Sequence, residues 1–424
     1  MPRGPPRPPP GDRVARPSRR SQRGLDWFTF FLADVQTGFG PFIAVYLTTQ
    51  KWTQADIGLV LTVGGLVALA AQMPGGALVD AAHAERLVVG VAVAAIGISA
   101  FTLAVWPIFL AVMTAKVLHS LASCVLGPAI AAISLGLVGH NAIGERLGRN
   151  ARFSSIGAGL AAAGMGACGY LISNQAVFFV TVALCIPTLV ALSYIRSNEV
   201  DPVKAHGGIP EPHPGHPEAA LGDVAKRPLL IFTCCLVLFH FANAAMLPLM
   251  GGIVTMRSTE WATTLVAACI VVPQIVVAAY SPWVGRKAQQ WGRRPLLLLG
   301  FLALPIRGLL FATVVDPYAL VVIQLLDGIS AAVLAVLVPL TIADVTRGTG
   351  RFNLAQGIVG SGVGIGASFS TTFAGYLADY FGSAIAFLGL AAVAGLGFIL
   401  VWALMPETRP EVTDLSPGRI GTSE

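Results

Sequence analysis

From Leu25 onward the chain alternates long apolar stretches with short polar breaks. A bilayer core about 30 Å thick is crossed by roughly 20 apolar residues in a helix rising about 1.5 Å per residue. Segments of that length fall at about 26–49, 55–79, 86–105, 107–138, 153–173 and 175–196. A polar stretch at 197–226, with the run GGIPEPHPGHPEAALG, interrupts the series. Six more segments follow at about 228–254, 261–284, 295–315, 317–344, 353–379 and 382–405. The pattern predicts an all-α membrane protein with twelve transmembrane helices in two six-helix halves, 25–196 and 227–406. The halves are joined by a linker at 197–226 and followed by a tail at 407–424. Residues 1–24 are rich in Pro and Arg without an apolar run, which predicts a disordered basic tail. The pair Arg19-Arg20 is followed by a full-length span containing Asp34 and no A-x-A-like site, so a retained tail is expected rather than an export signal.

Charge sets the orientation. With the N-terminus inside, 23 of the 27 Lys+Arg fall on the inner side, two (Lys51, Arg257) outside, and two (Lys116, Arg307) within spans. Positive residues collect in cytoplasmic loops, so a multi-pass protein of the cell membrane with both ends in the cytoplasm is expected. Composition agrees: 11% charged residues and 55% hydrophobic ones are too few and too many for a soluble fold, where about 25% are charged. The net charge of +6 is spread over alternate loops and does not predict a nucleic-acid partner. The six cysteines lie inside apolar runs, without metal-ligand spacing, and read as small core residues. His213 and His216, among prolines, read as linker rather than a metal site.

The halves repeat each other. Lys116 precedes Pro128 by twelve residues, and Asp327 precedes Pro339 by twelve, 211 positions later. The fifth span opens Gly148-Arg149-Asn150 and contains Gly169-Tyr170-Leu171. The eleventh opens at Gly350-Arg351-Phe352-Asn353 and contains Gly375-Tyr376-Leu377. Asp34 stands seven residues before Pro41, and Phe241 seven before Pro248. Such duplication suggests a site where the halves meet, exposed alternately to either side.

On these features the chain resembles the major facilitator superfamily of secondary transporters over nearly all of 25–406. The most specific family motif, G-x-x-x-D-R-x-G-R-R between helices 2 and 3, is present here as Gly76-Ala77-Leu78-Val79-Asp80 without its basic arm. The second copy, between helices 8 and 9, has the reverse composition: Gly285, Gly292, Arg293 and Arg294 are kept, and Gln289 replaces the acid. Lys116 matches only the positive charge of the R-x-x-Q-G of family drug exporters, and the exporter-associated G-x-x-x-G-P-x-x-G-G of helix 5 is echoed without its proline. The resemblance implies that helices 1, 4, 7 and 10 line a central cavity.

Ionisable groups at membrane depth are costly and are functional candidates by default. Asp34 is the first candidate for the coupling proton, against a packing role. Lys116 and Asp327, at equivalent positions, form a possible gate across the cavity, with Arg307 of matching depth the competing partner for Asp327. His240 and Asn243, three apart on one helical face, offer hydrogen bonds to a substrate; His119 shares the face of Lys116. Gln36, Gln72, Gln274 and Gln324 read as cavity lining or interhelical glue. Asp80 is expected to bond a helix N-terminus or an inner arginine and hold the inner side closed, with Gly76, Gly292, Arg293, Arg294 and Arg307 sharing the gating role. Glycines in helix 5 (157, 159, 164, 166) and helix 11 (357, 360, 362, 364, 366) are expected to bring the halves close.

No phosphate-binding loop is present. The sequence therefore predicts no enzyme, no cofactor and no metal. It predicts a monomer in the lipid bilayer, moving a small-molecule substrate by alternating access with protons. Antiport-type efflux of small organic molecules is the leading expectation and uptake of a small organic anion the second. A non-transporting sensor on the same fold comes third.

Overall fold

The computed structural model describes residues 17–37, 41–82, 84–208, 227–257, 262–314 and 316–409. The first half runs α1 (Arg19–Thr37), α2 (Pro41–Thr49), α3 (Gln54–Ala81), α4 (Glu85–Val105), α5 (Phe109–Val138), α6 (Ile143–Leu171) and α7 (Ala176–Tyr194). The second runs α9 (Arg227–Asn243), α10 (Met246–Arg257), α11 (Ala262–Trp291), α12 (Arg294–Thr313), α13 (Pro317–Ile323), α14 (Leu325–Val345), α15 (Phe352–Phe381) and α16 (Ser383–Leu404). Pairing α1 with α2, α9 with α10 and α13 with α14 as broken spans gives twelve crossings. They form two six-helix halves; one apolar core fills the first half, and the other fills the second and takes in Ala131, Leu135, Ile143 and Leu147 of the first.

One of the breaks has a stated cause. A proline ring displaces the carbonyl four residues earlier and removes a donor. Pro248 lies four residues after Ala244, where the chain turns between α9 and α10. At this break the backbone N–H of Ala245 donates to Ser370 Oγ of α15, 3.0 Å away. Without water in hydrocarbon, such a partner is required.

Nine helices among the described residues are long and apolar enough to cross a membrane by themselves. Spans 1, 5 and 11 are not among them. Span 1 carries Arg19, Arg20, Arg23, Asp26 and Asp34, and α6 and α15 are rich in glycine and hydroxyl residues. These helices pack against other helices rather than chiefly lipid, so they need less hydrophobicity.

Three boundaries differ from the hydropathy pattern. Helix α1 begins at Arg19, within the segment expected to be a disordered tail. Ser18 anchors that turn: its Oγ accepts from Ser21 N (3.2 Å), and its own N–H and O–H donate to Glu199 Oε2 (3.0 and 2.8 Å). Helix α6 starts ten residues before the apolar run, because Arg146 and Arg149 there bind Asp26 of α1. The linker is structured at its start: Ser197–Glu199 make one 3-10 turn, and α8 (Pro202–Ala205) is capped by Asp201. The rest of the linker, with His213 and His216, the tail before residue 17 and the tail after residue 409 lie outside the described residues.

The halves meet along two seams, α3 with α15 and α6 with α11. At both, backbone lies on backbone. A Cβ on Gly76 would overlap the Asn353 carbonyl, and one on Gly357 the Gln72 carbonyl. On the other seam Gly285 and Gly144 face each other, and a Cβ on Gly148 would come 2.5 Å from the Ser281 carbonyl. All these glycines lie toward the face that carries the described ends of the chain. Toward the opposite face Gly164, Gly166 and Gly375 meet nothing within 4 Å, and Tyr170 is 90% exposed. Among the described residues, then, the halves are closed together on the terminal face, and these glycines of the opposite face have no neighbour. The glycine ladders divide: Gly357, Gly360 and Gly364 meet α3 and Gly159 meets Gln274 across the halves, whereas Gly362 and Gly366 pack on α9 of their own half and Gly157 on Phe30 of α1; Gly144, Gly148, Gly285 and Gly76, outside the ladders, add to the seam.

Gly76→Ala, which places a methyl group on a backbone carbonyl, should force this face apart. Spin labels on α3 and α15 near the terminal face should show a longer and broader distance distribution than in the parent; an unchanged distribution would contradict this seam.

Candidate solute pathway between the halves

A cavity of about 400 Å³ lies between the halves, beside the closed seams. Thr29, Leu32, Ala33 and Gln36 line it from α1, following the i, i+3, i+4, i+7 spacing of one helical face. Gln72 faces it from α3, Pro128 from α5, Asn150 and Ser154 from α6, Pro339 from α14 and Gln356 from α15. The two prolines are the pair related by the duplication. Among the described residues the lining holds amides, hydroxyls and apolar groups and no ionised side chain.

Asp34 stands beside this wall rather than in it. One residue past Ala33 turns its side chain about 100° around the helix, toward α6. Its Oδ1 is 3.2 Å from where a Cβ on Gly157 would be, so only glycine leaves it room. The residue is buried, and Oδ1 has no hydrogen-bond partner among the described residues. An orphaned buried carboxylate is costly, and protonation relieves the cost.

Lys116 does not reach across the cavity. Its stem lies along Gly64 of α3, 2.6 Å from where a Cβ would stand, inside its own half. One turn on, His119 is buried with Nε2 3.3 Å from Ser123 Oγ. In the other half Arg307, 2% exposed, donates to both Asp327 Oδ1 and Asn243 Oδ1, with Met246 Sδ 3.3 Å away. Asp327 thus pairs with Arg307 in this structure, and Asn243 is the acceptor of the same guanidinium. His240, one turn before Asn243, lies edge-on to the Phe239 ring (centroids 5.4 Å). Of the other glutamines, Gln324 Nε2 donates to the Cys269 carbonyl (3.4 Å), and Gln274 packs near Gly159.

The terminal face is held by polar contacts over the glycine seams. Asp80 at the end of α3 accepts from Asn353 N (3.1 Å), Asn353 Nδ2 (2.8 Å) and Leu354 N (2.7 Å). It occupies the N-terminus of α15, where unpaired amides and the helix dipole favour an anion. Its second-half counterparts act differently. Gly292 (φ +92°) turns the chain so that Arg293 binds Asp344 (2.7 Å), while the backbone N–H groups of Arg293 and Arg294 donate to Glu407 (2.8 and 3.1 Å). These bonds stay within the second half, so among the described charged residues of this motif pair Asp80 is the one bonded across the halves, beside the glycine contacts of Gly76 and Gly285.

Sequence reasoning missed several partners. Asp26 joins Arg146 (2.5 Å) and Arg149 (2.5 Å) and clamps α1 to α6; it was read as the edge of a span. His206, in the linker, stands 3.2 Å from Glu85 of α4, and its carbonyl accepts from Phe352 N of α15 (3.3 Å). Gly348 N donates to the Gly207 carbonyl (2.6 Å). The linker therefore straps both halves together. The Glu85 carboxylate beside it holds the His206 imidazolium above its ordinary 6.5, against the effect of burial. Burial, with Arg347 nearby, pushes His140 of the same face down to about 4.

Two six-helix halves with a cavity between them are the arrangement of a membrane transporter. The Major Facilitator Superfamily model matches residues 27–315 and 234–420. The chain is 41% identical over 404 residues to the uncharacterized MFS-type transporter MT2531 of Mycobacterium tuberculosis (strain CDC 1551 / Oshkosh), covering 94% of this chain and 96% of that protein. An equally similar relative is Rv2456c of strain H37Rv. The chain belongs to the Major Facilitator Superfamily. Solved structures share the fold at 14% identity. A variant of the E. coli fucose:proton symporter FucP superposes with TM-score 0.72, over 89% of this chain and 97% of that one. The proton:xylose symporter XylE bound to 6-bromo-6-deoxy-D-glucose gives 0.64, over 92% and 95%. FucP in the outward conformation gives 0.71, over 89% and 97%.

Two outcomes follow from these contacts. Asp327→Ala leaves the Arg307 charge buried without its anion and should destabilise the protein by about 3–5 kcal/mol. The double change Arg307→Met with Asp327→Leu removes both charges and should recover most of that loss, read as melting temperature in detergent. The strap should also respond to pH. A proton held more tightly by His206 when docked stabilises docking fully below pH 6.5, and that stabilisation is lost as pH rises through the raised value. Hydrogen exchange across 200–208, corrected for intrinsic rate, should therefore speed up with rising pH. His206→Gln should abolish the response, whereas His140→Gln, at a site already neutral, should leave it unchanged.

Proposed function

We propose that this transporter exports small uncharged or weakly polar organic molecules in exchange for protons, with Asp34 as the proton carrier. The carrying observation is the juxtaposition of the charge-free cavity face of α1 with the buried carboxylate one residue further round the same helix. A guest in the cavity presses on Ala33 and Gln36, which flank Asp34. Protonating Asp34 neutralises α1 where it lies on Gly157 of α6, so occupancy of the cavity and of the carboxyl are linked through one helix and one crossing. Titration of Asp34 in alternation with substrate occupancy is the step that couples the two flows.

The orientation read from positive charge puts the terminal face in the cytoplasm. The closed seams and the Asp80 contact with α15 then describe an outward-facing state, the state from which an exporter releases its substrate and takes up a proton. Uptake of an organic anion is less well supported. That reading needs free cations at the cavity, whereas Arg307 is committed to Asp327 and Asn243, and Lys116 lies along α3. FucP and XylE, whose names record proton symport, are compatible with a proton as the coupling ion here; their sugars are not carried over.

Asp34→Asn should keep the fold and abolish gradient-driven transport while sparing exchange of substrate between two pools. Proteoliposomes with an imposed pH gradient and a panel of neutral, cationic and anionic compounds measure this. Gradient-driven accumulation by Asp34→Asn equal to the parent would remove Asp34 from the coupling. Accumulation of anions alone would replace export of neutral compounds with the anion reading.

A further inference from the structure

The terminal end of α1 carries a second feature that transport does not use. Arg19, Arg20 and Arg23, with Trp27 and Phe31 one and two turns on, form one side of an open groove of about 570 Å³. Pro187, Val190 and Tyr194 of α7 form the other. We propose that this groove binds an anionic phospholipid of the leaflet on the terminal face. The phosphodiester would lie among the three arginines and an acyl chain along Phe31, Pro187 and Val190.

Charge is the first support. All three arginines are exposed, and none makes an ion pair among the described residues. The nearby carboxylates are already engaged. Asp26 is buried between Arg146 and Arg149, and Glu199 accepts from Ser18 and Arg196. Three cations without an anion, spaced over one helical turn at the edge of the hydrocarbon, match a phosphate that takes paired hydrogen bonds from guanidinium groups.

The groove's gradient of polarity is the second support. Its rim is arginine and its depth is apolar, in the order a lipid presents headgroup and chain. Trp27, 49% exposed, stacks on Phe31 (centroids 5.9 Å), and the Arg20 guanidinium lies 5.1 Å from the centre of the Tyr194 ring. Aromatic rings of this kind settle at the headgroup level. The floor is fixed by Gly24, where a Cβ would stand 2.9 Å from Tyr194 Cβ and 3.1 Å from the Ala191 carbonyl. That close crossing of α1 and α7 keeps the groove in shape without a ligand.

Native mass spectrometry of the delipidated full chain, titrated with phosphatidylglycerol and separately with phosphatidylcholine, tests the assignment. Retention of phosphatidylglycerol over phosphatidylcholine is expected. Changing Arg19, Arg20 and Arg23 together to Gln should weaken that retention by about a hundredfold, roughly fivefold for each arginine. The distal arginines of the tail keep the orientation signal in this variant. In parallel, phosphatidylglycerol with brominated chains should quench tryptophan fluorescence in the parent, and Trp27→Phe should remove most of the difference from brominated phosphatidylcholine. Equal retention of the two lipids, or unchanged retention in the triple variant, would overturn the site. Displacement of the lipid by millimolar inorganic phosphate would make it a free-anion site and overturn the lipid assignment.

Discussion

The contact of bare backbone with bare backbone along the two inter-half seams is the constraint on which the rest depends. Lipid offers no hydrophobic reward for bringing helices together, since its tails are as apolar as leucine. Close approach, dispersion and hydrogen bonds must hold the halves instead. Gly76, Gly357, Gly144, Gly148 and Gly285 permit that approach on the terminal face, and a single added methyl group at several of them would meet a main-chain oxygen. The cavity adjoins these glycines: Leu147 and Asn150 flank Gly148, and Gln356 stands next to Gly357. Site and closure are thus one decision about where side chains are omitted.

Electrostatics divides between the halves in an uneven way. Asp26 with Arg146 and Arg149, and Arg293 with Asp344, stiffen each half internally, and Arg307 with Asp327 does the same at membrane depth. Each is a buried charge that would be expensive alone and is satisfied by a partner in its own half. Between the halves there is no comparable described ion pair. The joins are Asp80 on the amides of α15 and the strap of residues 200–208, both of which exchange for water without stranding a charge in hydrocarbon. Rigid halves with a separable join are what a rocking motion requires.

Much of the fold was legible in the sequence, because hydrophobic length and the pairing of Lys116–Pro128 with Asp327–Pro339 are set by the bilayer and by duplication. Features governed by side-chain direction were less so. Asp34 was placed on a lining helix, yet the lining face is 29, 32, 33 and 36, and residue 34 turns away; helix phase decided this, and the spacing of Gln36 from Thr29 carried the clue. The glycine ladders were counted without knowing which neighbour each glycine met. Asp26 sits at a span edge and His206 in the linker, places where a charge reads as solvated; their partners, 120 residues later in Arg146 and 121 earlier in Glu85, are long-range contacts that no local pattern announces.

The proline break in span 7 has a mechanical consequence. Bending an intact helix means stretching its ladder of hydrogen bonds, but Pro248 has no amide to offer the Ala244 carbonyl, so one rung is already missing there. The loose amide of Ala245 rests on a hydroxyl of a neighbouring helix. The break therefore serves as an elbow whose flexing ruptures nothing further in its own helix.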